Sequence, residues 1–503
     1  MMWAGTDLGN IQTKSAIPDE HGNPVILETE LGAKSWLSVV YFDEGRLDKV
    51  LFGDEAVNAG LAHPEWLVMV WKRFIGTDDV RCTLKDGMQL KAKDIARILL
   101  SKVCKDFERQ TGGILTEVGL SIPANYNDKQ RQEMIDAAAA LNVKVHITHE
   151  PTAAALGNGV HKRGDGLYLI VDVGGGTTDV SLIKVEGNIV SILGTNGNNQ
   201  LGGMDFNARL EELFLEKLSK GKGIPKIKEN ALAYADFRQR VEQAKRVLSK
   251  LSEASISFSL DGKLFQASVT RDEFEARCAD LVKAVGDLGE QTLRETTNDV
   301  KDVKDILGVG GAAMAPMVGD MIEKRFGKKV SYHCEALFAA AKGNVILARQ
   351  AMEGEGRTAK VGNYSLPPLE QHTKEVTSHD VGILVLRDGS ENDEVNALML
   401  PKGTPIPHCE KEMFKLVEDG QTAARIVILQ GPHGAPAKEC LQLGHFELKD
   451  LPKIQGEPHR IEIAFEISKN GILSAIARCV HSDKFAKMEI DYRKAVNGGA
   501  NGL

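Results

Sequence analysis

Hydrophobic residues change their spacing along the chain, and the change divides it into two regions. Up to about residue 350, segments with apolar residues every three or four positions alternate with short apolar runs, which indicates helices alternating with strands. Strand patterns lie at Leu167–Val173 and Val180–Val185. The helical patterns cover Lys93–Gln110, Asp128–Leu141, Phe206–Ser219, Ala231–Leu251 and Arg271–Thr296. This alternation predicts an α/β domain over residues 1–350.

Beyond Asp380 the helical spacing nearly disappears. Short apolar runs bounded by turns occur at Gly382–Leu386, Ala424–Leu429 and Ile472–Ala477. One further segment alternates apolar residues with polar or small ones, as a half-buried strand does: Ile461, Ile463, Phe465 and Ile467. We therefore predict an all-β sandwich domain over residues 380–492.

Two other segments have a different composition. Residues 351–379 are polar and rich in glycine and proline, which predicts a linker between the two domains. Residues 493–503 contain mainly small residues and predict a flexible tail.

Composition narrows the possible classes of function. Of the 503 residues, 42% are hydrophobic and 26% are charged, which is typical of a soluble globular protein. The net charge of -8 argues against a nucleic-acid-binding protein, which usually has a basic face. The absence of a long apolar run predicts no membrane span. Seven scattered cysteines without a Cys-x-x-Cys pair predict free thiols and a cytoplasmic location.

Two distant segments share one order of residues: an apolar strand that ends in an aspartate, a glycine turn and a second strand. The first begins at Trp3 and contains Asp7 and Gly9, and the second contains Asp172 and three successive glycines. Glycine lets backbone N–H groups approach a phosphate closely, and a carboxylate at each strand end can hold Mg²⁺ through water. Two such hairpins facing each other predict a binding site for ATP.

The alternative is that both segments are ordinary hairpin turns. That alternative suits the turn after Asp7 equally well. It does not suit the segment from Asp172 to Asp179, because three glycines flanked by two aspartates and two threonines exceed what a turn requires. The sequence contains neither a P-loop nor a dinucleotide-binding glycine motif.

The order of motifs resembles the heat-shock-70 (DnaK-type) chaperones of the actin-like ATPase superfamily, over nearly the whole chain. The resemblance implies an α/β two-lobed actin-like ATPase domain followed by an all-β sandwich domain that binds peptide. The motifs that carry it are Asp7-Leu8-Gly9, Ser121-Ile122-Pro123, Glu150-Pro151-Thr152-Ala153-Ala154-Ala155, Asp172 to Asp179, Leu201-Gly202-Gly203, Glu242 to Ser249, Gly310-Gly311, Leu429-Gln430-Gly431 and Asn470-Gly471-Ile472-Leu473.

The resemblance also assigns roles to single residues. It implies ATP or ADP and Mg²⁺ as cofactors, with Asp7 and Asp172 organising the ion through water. The implied catalytic residues are Lys72, Glu150, Asp172 and Thr177. The implied nucleotide-binding residues are Asp7, Gly9, Asn10, Gly174, Gly175, Gly176, Thr177, Asp179, Gly202, Gly203, Glu242, Lys245, Arg246, Ser249, Gly310, Gly311 and Met314. The implied peptide cleft consists of Ile383, Leu386, Phe414, Val417, Ala424, Ile426 and Ile428. The alternative for this last group is that all seven are core residues of a small sandwich.

Several positions depart from the family pattern. Asn10 and Ile11 replace two threonines, and Ala312 and Met314 replace a serine and an arginine of the adenosine loop. Cys334 replaces an acidic residue. We expect weaker or less specific adenine binding, because a charge and a hydroxyl are missing from the loop.

The implied partners are unfolded polypeptides and, in this family, a J-domain co-chaperone and a nucleotide exchange factor. His146 and His149 replace residues used for J-domain docking, while Arg131 is kept. The polar segment 370–375 replaces a leucine-rich linker, and few residues follow Tyr492, so we expect weak interdomain coupling and no helical lid.

The leading hypothesis is an ATP-hydrolysing chaperone. Two alternatives are an ATP-binding scaffold with little hydrolysis and a small-molecule kinase of the same superfamily.

Overall fold

The computed structural model describes residues 2–123, 126–219, 227–260, 263–332, 336–361, 364–370, 372–377, 379–387, 393–417, 420–453, 459–468, 472–482 and 484–489. The predicted tail 493–503 lies outside these ranges, and so do Cys334, Asn470, Gly471 and Tyr492. The chain divides into two compact units. The first comprises residues 1–124, 134–190 and 195–372, and the second comprises residues 125–133, 191–194 and 373–503.

The chain up to Ser365 alternates strands and helices, as the hydrophobic spacing predicts. The strands are β1 (Trp3–Leu8), β2 (Gln12–Pro18), β3 (Pro24–Ile26), β4 (Trp36–Leu37), β5 (Val40–Phe42), β6 (Val50–Phe52), β7 (Leu67–Val68), β8 (Val80–Thr83), β9 (Gln89–Lys91), β10 (Glu117–Ile122), β11 (Lys144–His149), β12 (Gly166–Val173), β13 (Thr178–Glu186), β14 (Ile189–Asn198), β15 (Glu253–Leu260), β16 (Lys263–Thr270), β17 (Val303–Val309), β18 (Val330–Tyr332), β19 (Lys360–Val361) and β20 (Tyr364–Ser365). The helices are α1 (Gly53–Gly60), α2 (Ala92–Thr111), α3 (Asp128–Ala139), α4 (Glu150–Gly157), α5 (Gly203–Ser219), α6 (Ala231–Leu248), α7 (Arg271–Arg277), α8 (Ala279–Glu295), α9 (Pro316–Phe326) and α10 (Ala339–Gly354).

Two sheets repeat one topology. The first has the order β11-β10-β1-β2-β3, and the second contains the order β18-β17-β12-β13-β14. In each of these five-strand orders the middle strand, β1 or β12, carries Asp7 or Asp172 near its end and is antiparallel to the next strand and parallel to a later one. The central strands are buried on both faces, which explains why the run Tyr168–Val171 is continuously apolar. The two-lobed α/β arrangement that the duplicated hairpins predict is therefore confirmed.

Helices α4 and α10 pack against each other at unusually short range. A Cβ added to Gly157 would overlap the backbone carbonyl of Ala339, and one added to Gly343 would overlap that of Ala153. Only glycine permits this approach. The neighbouring Asn344 donates a hydrogen bond to the Thr6 carbonyl at 2.8 Å, which ties α10 to the strand that carries Asp7. This contact fixes one side of the candidate site.

The predicted helices are present, with one correction. The pattern over Arg271–Thr296 predicts a single helix, but the structure has α7 and α8, separated at Cys278. The Cys278 backbone has φ -96° and ψ 3°, outside the helical region, and its side chain is fully buried. Hydrophobic spacing continues across such a one-residue break, so the sequence pattern does not show it.

The predicted linker needs a similar correction at its beginning. Helix α10 continues to Gly354, and Met352, Ala359 and Leu366 are buried against Trp3 in one core cluster of the first unit. Apolar side chains spaced widely among glycines and charges still bury enough surface to hold this segment in place. Only the later part of residues 351–379 therefore fits the description of a linker.

The chain after residue 371 has strands as its main regular elements, with one short 3-10 turn at Ala437–Glu439 among the described residues. They are β21 (His372–Val376), β22 (Val381–Leu386), β23 (Glu394–Leu400), β24 (Pro405–Ile406), β25 (His408–Lys415), β26 (Ala424–Gln430), β27 (Leu441–Leu448), β28 (Arg460–Ile467), β29 (Leu473–Cys479) and β30 (Phe485–Glu489).

Eight of these strands form two antiparallel sheets, with the orders β23-β22-β26-β27 and β25-β28-β29-β30. Buried side chains from both sheets share one core, which includes Leu400, Ile428 and Phe465. In β28 the alternation has the predicted sense, because Ile461, Ile463 and Phe465 all face this core.

No helix in the described part of the chain is both long enough and apolar enough to span a membrane.

Candidate active site

The two hairpins place a carboxylate at the end of each central strand, as predicted. In β1 and β2, Asp7 lies opposite Lys14, and the Lys14 ammonium donates a hydrogen bond to Asp7 Oδ2 at 3.1 Å. In β12 and β13, Asp172 lies opposite Asp179. Asp179 is fully buried, while Asp172 is partly accessible. Thr177 lies in the turn between these strands, and its carbonyl accepts a hydrogen bond from the Gly174 N–H at 2.9 Å.

A buried ion pair joins two residues that are far apart in the sequence. Lys72 lies in a short 3-10 turn and Glu150 is the first residue of α4. Lys72 Nζ is 2.7 Å from Glu150 Oε1, and the two side chains are only 3% and 11% exposed. The backbone N–H of Lys72 donates to Asn10 Oδ1 at 3.0 Å. The first glycine turn therefore positions Lys72, although Asn10 departs from the family pattern.

Negative charge predominates around Asp172, where carboxylates have a larger effect on its pKa than the nearby lysines. Burial, together with the nearby Glu150 and Asp7 carboxylates, raises the pKa of Asp172 to about 8, and Lys14 and Lys72 oppose this shift only in part. Burial also raises the pKa of Glu150, with Lys72 opposing and Asp7 adding to the effect. Carboxylates whose charge raises the pKa of Asp172 and Glu150 are suited to a hard divalent cation, because the cation neutralises that charge. The donor set therefore fits Mg²⁺.

Three glycine turns meet beside these carboxylates without room for side chains. A Cβ on Gly202 would lie 2.7 Å from the Gly176 nitrogen, and one on Gly176 would lie 2.7 Å from Asn10 Nδ2. The Gly203 N–H donates to the Gly174 carbonyl at 2.9 Å. A Cβ on Gly175 would overlap Ile11. The structure thus brings together the predicted phosphate-binding segments 9–11, 174–176 and 202–203.

Two cationic residues of this region were missed by the sequence analysis, Lys14 and Arg73. Arg73 Nη2 donates to the Gly176 carbonyl at 2.8 Å and to Asp205 Oδ2 at 2.6 Å, so it fixes the second glycine turn. The register expected for a short hairpin pairs Lys14 with Asp7, and this signal could have identified Lys14 from the sequence. No local pattern indicates Arg73, because its partners lie more than 100 residues away.

Helix α6 contributes a second group of predicted residues. Lys245 Nζ donates to the Gly203 carbonyl at 3.1 Å and to Glu242 Oε2 at 2.7 Å, which connects α6 to the third glycine turn. Burial tends to raise the pKa of Glu242, but Lys245 and further hydrogen-bond donors hold it below its ordinary value. Burial lowers the pKa of Lys245. The Ser249 hydroxyl is engaged within α6 and its C-terminal end, since it donates a hydrogen bond to the Lys245 carbonyl at 3.2 Å.

The loop after β17 approaches the same place. Gly310 has φ +81°, and a Cβ there would lie 2.6 Å from Asp172 Oδ1. The Ala312 N–H donates to the Val173 carbonyl at 3.0 Å, so the loop is held against the end of β12. Met314 is 51% exposed, and the side chain of Arg246 is also largely exposed. The planar guanidinium of Arg246 and the flexible side chain of Met314 are therefore both accessible to a planar ligand.

The raised pKa of Asp172 predicts how stability depends on pH. Between its unfolded pKa near 4 and its folded pKa of about 8, the folded protein binds more protons at Asp172 than the unfolded chain does. Its contribution to the free energy of unfolding should therefore decrease as pH rises through this interval. Glu150 acts in the same direction. Asp172→Asn should reduce the slope, because an amide does not titrate.

Urea unfolding of the nucleotide-free chain from pH 5 to pH 9 measures this dependence. Asp305→Asn serves as the matched control, because Asp305 is a partly exposed aspartate on β17 that pairs with Arg163 in the 3-10 turn before β12. An equal slope in the wild type and in Asp172→Asn would show that Asp172 is ionised throughout this range.

Comparisons with known proteins agree with this geometry. The family model for the Hsp70 protein matches residues 3–499. The chain is 32% identical over 499 residues to the chaperone protein DnaK of Thermotoga neapolitana, covering 97% of this chain and 80% of that protein. It is 30% identical over 498 residues to the DnaK of Thermosipho melanesiensis, with the same coverage of both chains.

Paired hairpins with terminal carboxylates and facing glycine turns define a nucleotide-hydrolysing protein of two lobes. The chain belongs to the Hsp70 family. It is an ATP-dependent chaperone that hydrolyses ATP and acts on unfolded polypeptides, and the prediction of function from the sequence is confirmed.

Proposed function

We propose that ATP is hydrolysed between the two hairpins, with Lys72, Glu150, Asp172 and Thr177 as the catalytic residues. The observation that supports this most strongly is the buried ion pair of Lys72 and Glu150 beside the crowded carboxylate of Asp172. Phosphoryl transfer to water requires neutralised phosphate charge and an oriented nucleophile. Lys72 supplies the positive charge, and Glu150 both orients Lys72 and accepts a hydrogen bond from the attacking water.

The phosphates would be bound by backbone N–H groups of the glycine turns. The proposed segments are Gly9 with Asn10, the run Gly174–Gly176 and the pair Gly202–Gly203, whose glycines carry no Cβ that would block a phosphate. Thr177 would donate a hydrogen bond from its hydroxyl to the γ-phosphate, and Asp179 would support the site. Asp7 and Asp172 would hold Mg²⁺ through water. The bound ion supplies positive charge against the phosphates.

The adenosine would lie against α6 and the loop after β17. Glu242 and Lys245 are held in place by their mutual ion pair, and Gly310 with Gly311 keeps the loop free of side chains at the approach to Asp172. Arg246 and Met314 would cover the two faces of the base, since a guanidinium and a thioether both pack on aromatic rings. Ser249 would contribute only after its hydroxyl leaves the Lys245 carbonyl.

We also propose the division into an ATPase domain that includes the packed segment up to Leu366, a connecting segment within residues 367–379 and a β-sandwich peptide-binding domain over residues 380–492. A stretched peptide would add to an exposed backbone edge and insert an apolar side chain between the sheets. Of the seven residues proposed for the cleft, Ile383, Ala424, Ile426 and Ile428 are buried in the shared core, and Phe414 packs against it. The core alternative therefore accounts for these, whereas Leu386 is half-buried and Val417 is 70% exposed.

Val417→Asp separates the cleft from the core alternative, because an exposed residue can be changed without disturbing the fold. A charge in the path of an apolar peptide should weaken binding by about 10-fold, since it costs at least ~1.4 kcal/mol of apolar contact. Fluorescence anisotropy of a labelled, extended apolar peptide measures the dissociation constant. Val480→Asp is the matched control, as Val480 is 50% exposed in the same unit. An unchanged constant in Val417→Asp, or an equal loss in both variants, would remove Val417 from the cleft.

A J-domain co-chaperone and a nucleotide exchange factor stay predictions, and so does the cytoplasmic location. The contacts of His146 concern the predicted interaction with a J-domain co-chaperone. Its side chain is buried, and its Nε2 lies 2.7 Å from Glu117 Oε2, which also pairs with Arg357. A residue engaged in this way stabilises the sheet and offers no surface to a partner, so any J-domain contact would use neighbouring exposed residues.

A further inference from the structure

A group of three metal-ligand side chains lies at one end of the second unit. His459 precedes β28, Cys479 ends β29, and His481 follows in the next turn. The antiparallel register pairs Ile461 with Cys479, and the Val480 N–H donates to the Arg460 carbonyl at 3.0 Å. The strand pairing therefore continues beyond the ends of β28 and β29 and sets the two histidines opposite each other, with ring centroids 5.9 Å apart.

The donor atoms have the separation that a shared metal ion requires. One ligand atom from each of the three residues lies within 4.8 Å of the other two. Cys479 Sγ and His459 Nδ1 are 3.6 Å apart. A tetrahedral zinc ion with bonds of about 2.3 Å to sulfur and about 2.0–2.1 Å to nitrogen places those two ligands roughly 3.5–3.6 Å from each other. The buried pair thus already has zinc-ligand spacing.

The tautomer of His459 is suited to metal binding. Its Nε2 lies 2.6 Å from the Pro452 carbonyl oxygen, which can only accept a hydrogen bond, so Nε2 carries the proton. In the neutral ring, Nδ1 then presents its lone pair towards Cys479. A ligating histidine whose second nitrogen donates to a backbone carbonyl is the usual arrangement around zinc. His459 and Cys479 are fully buried, and His481 is exposed, so an ion can enter from solvent.

We propose that His459, Cys479 and His481 bind one Zn²⁺ ion, with water as the fourth ligand. A thiolate with two imidazoles is a donor set that favours zinc over magnesium or calcium. On binding, the Cys479 thiol loses its proton to solvent and the sulfur forms a bond to the metal. The ion would join the end of β29 to the residue that leads into β28. This site lies in the second unit and uses none of the proposed nucleotide or cleft residues.

Cobalt substitution in the full chain tests the proposal directly. The nucleotide-free protein, reduced and treated with a chelator, is titrated with Co²⁺ and then with Zn²⁺. We expect a thiolate-to-cobalt charge-transfer band that saturates at one equivalent and disappears when Zn²⁺ is added. The band identifies sulfur as a ligand, so cobalt bound among carboxylates does not produce it. Absence of the band in the wild type would overturn the proposal.

Variants assign the band to these residues. Cys479→Ser should abolish it, whereas Cys409→Ser, at an exposed cysteine of the same unit, should leave it unchanged. His481→Ala removes an exposed ligand without affecting the core and should weaken Zn²⁺ binding by at least about 10-fold, measured by competition with a chromophoric chelator. His445→Ala, at an exposed histidine elsewhere in the unit, is its control. A Zn²⁺ affinity unchanged by His481→Ala, or a band that survives Cys479→Ser, would overturn the site.

Discussion

Lys72→Ala should slow ATP hydrolysis by at least about 100-fold while ATP still binds, because a preorganised charge at the reacting phosphate is typically worth that much. The Lys72 ammonium is buried at 2.7 Å from Glu150 and cannot be replaced by solvent. Since the pKa of Glu150 is already raised by burial, this carboxyl can take up a proton when its partner is removed. The variant should therefore remain folded, and the loss should appear in the hydrolysis rate.

Single-turnover hydrolysis of radiolabelled ATP measures the rate, and equilibrium binding of a fluorescent ATP analogue measures affinity. Lys263→Ala is the matched control, because Lys263 is an exposed lysine on β16 in the same unit. We expect its rate to equal that of the wild type. A Lys72→Ala chain that hydrolyses ATP as fast as the control would show that the ion pair is structural only.

Gly202→Ala should lower the affinity for ATP by about 100-fold or more. The added Cβ would lie 2.7 Å from the Gly176 nitrogen and 2.9 Å from the Gly175 carbonyl carbon, and these backbone atoms belong to the second glycine turn. The turn must move, and with it the N–H groups that bind phosphate. Losing two charge-assisted hydrogen bonds costs about 3–6 kcal/mol, which corresponds to this change in affinity.

Isothermal titration with ATP and Mg²⁺ measures the effect, and Gly87→Ala separates it from loss of stability. Gly87 has φ +87° in the turn between β8 and β9, and a Cβ there meets nothing within 4 Å. Alanine at this position costs about 1–2 kcal/mol of backbone strain, but it should leave ATP affinity unchanged. Tight ATP binding by Gly202→Ala would mean that the second turn tolerates displacement and does not bind the phosphates.

Local sequence patterns predicted much of the fold and part of the candidate site. Asp7 and Asp172 could be placed at strand ends because a strand, a glycine turn and a second strand are adjacent in sequence. The alternation in β28 gave the buried face, since successive side chains point to opposite sides of a sheet. The sequence pattern did not indicate the one-residue break at Cys278, because the hydrophobic spacing continues on both sides of it.

Long-range partners required either a family resemblance or the structure itself. Lys72 and Glu150 are 78 residues apart, and no property of either segment links them. Arg73 and Asp205 are 132 residues apart, and no sequence motif links them. Alternation also could not distinguish cleft from core at Ile383 and Ile426, because both locations require apolar residues on the same face of a strand.

Single-turnover ATP hydrolysis by the wild type and by Lys72→Ala, each with and without an unfolded polypeptide, tests the proposed mechanism most directly. We expect turnover that depends on Lys72 and that the polypeptide accelerates in the wild type alone. Tight ATP binding without Lys72-dependent turnover would rule out this mechanism and would favour a scaffold that holds ATP.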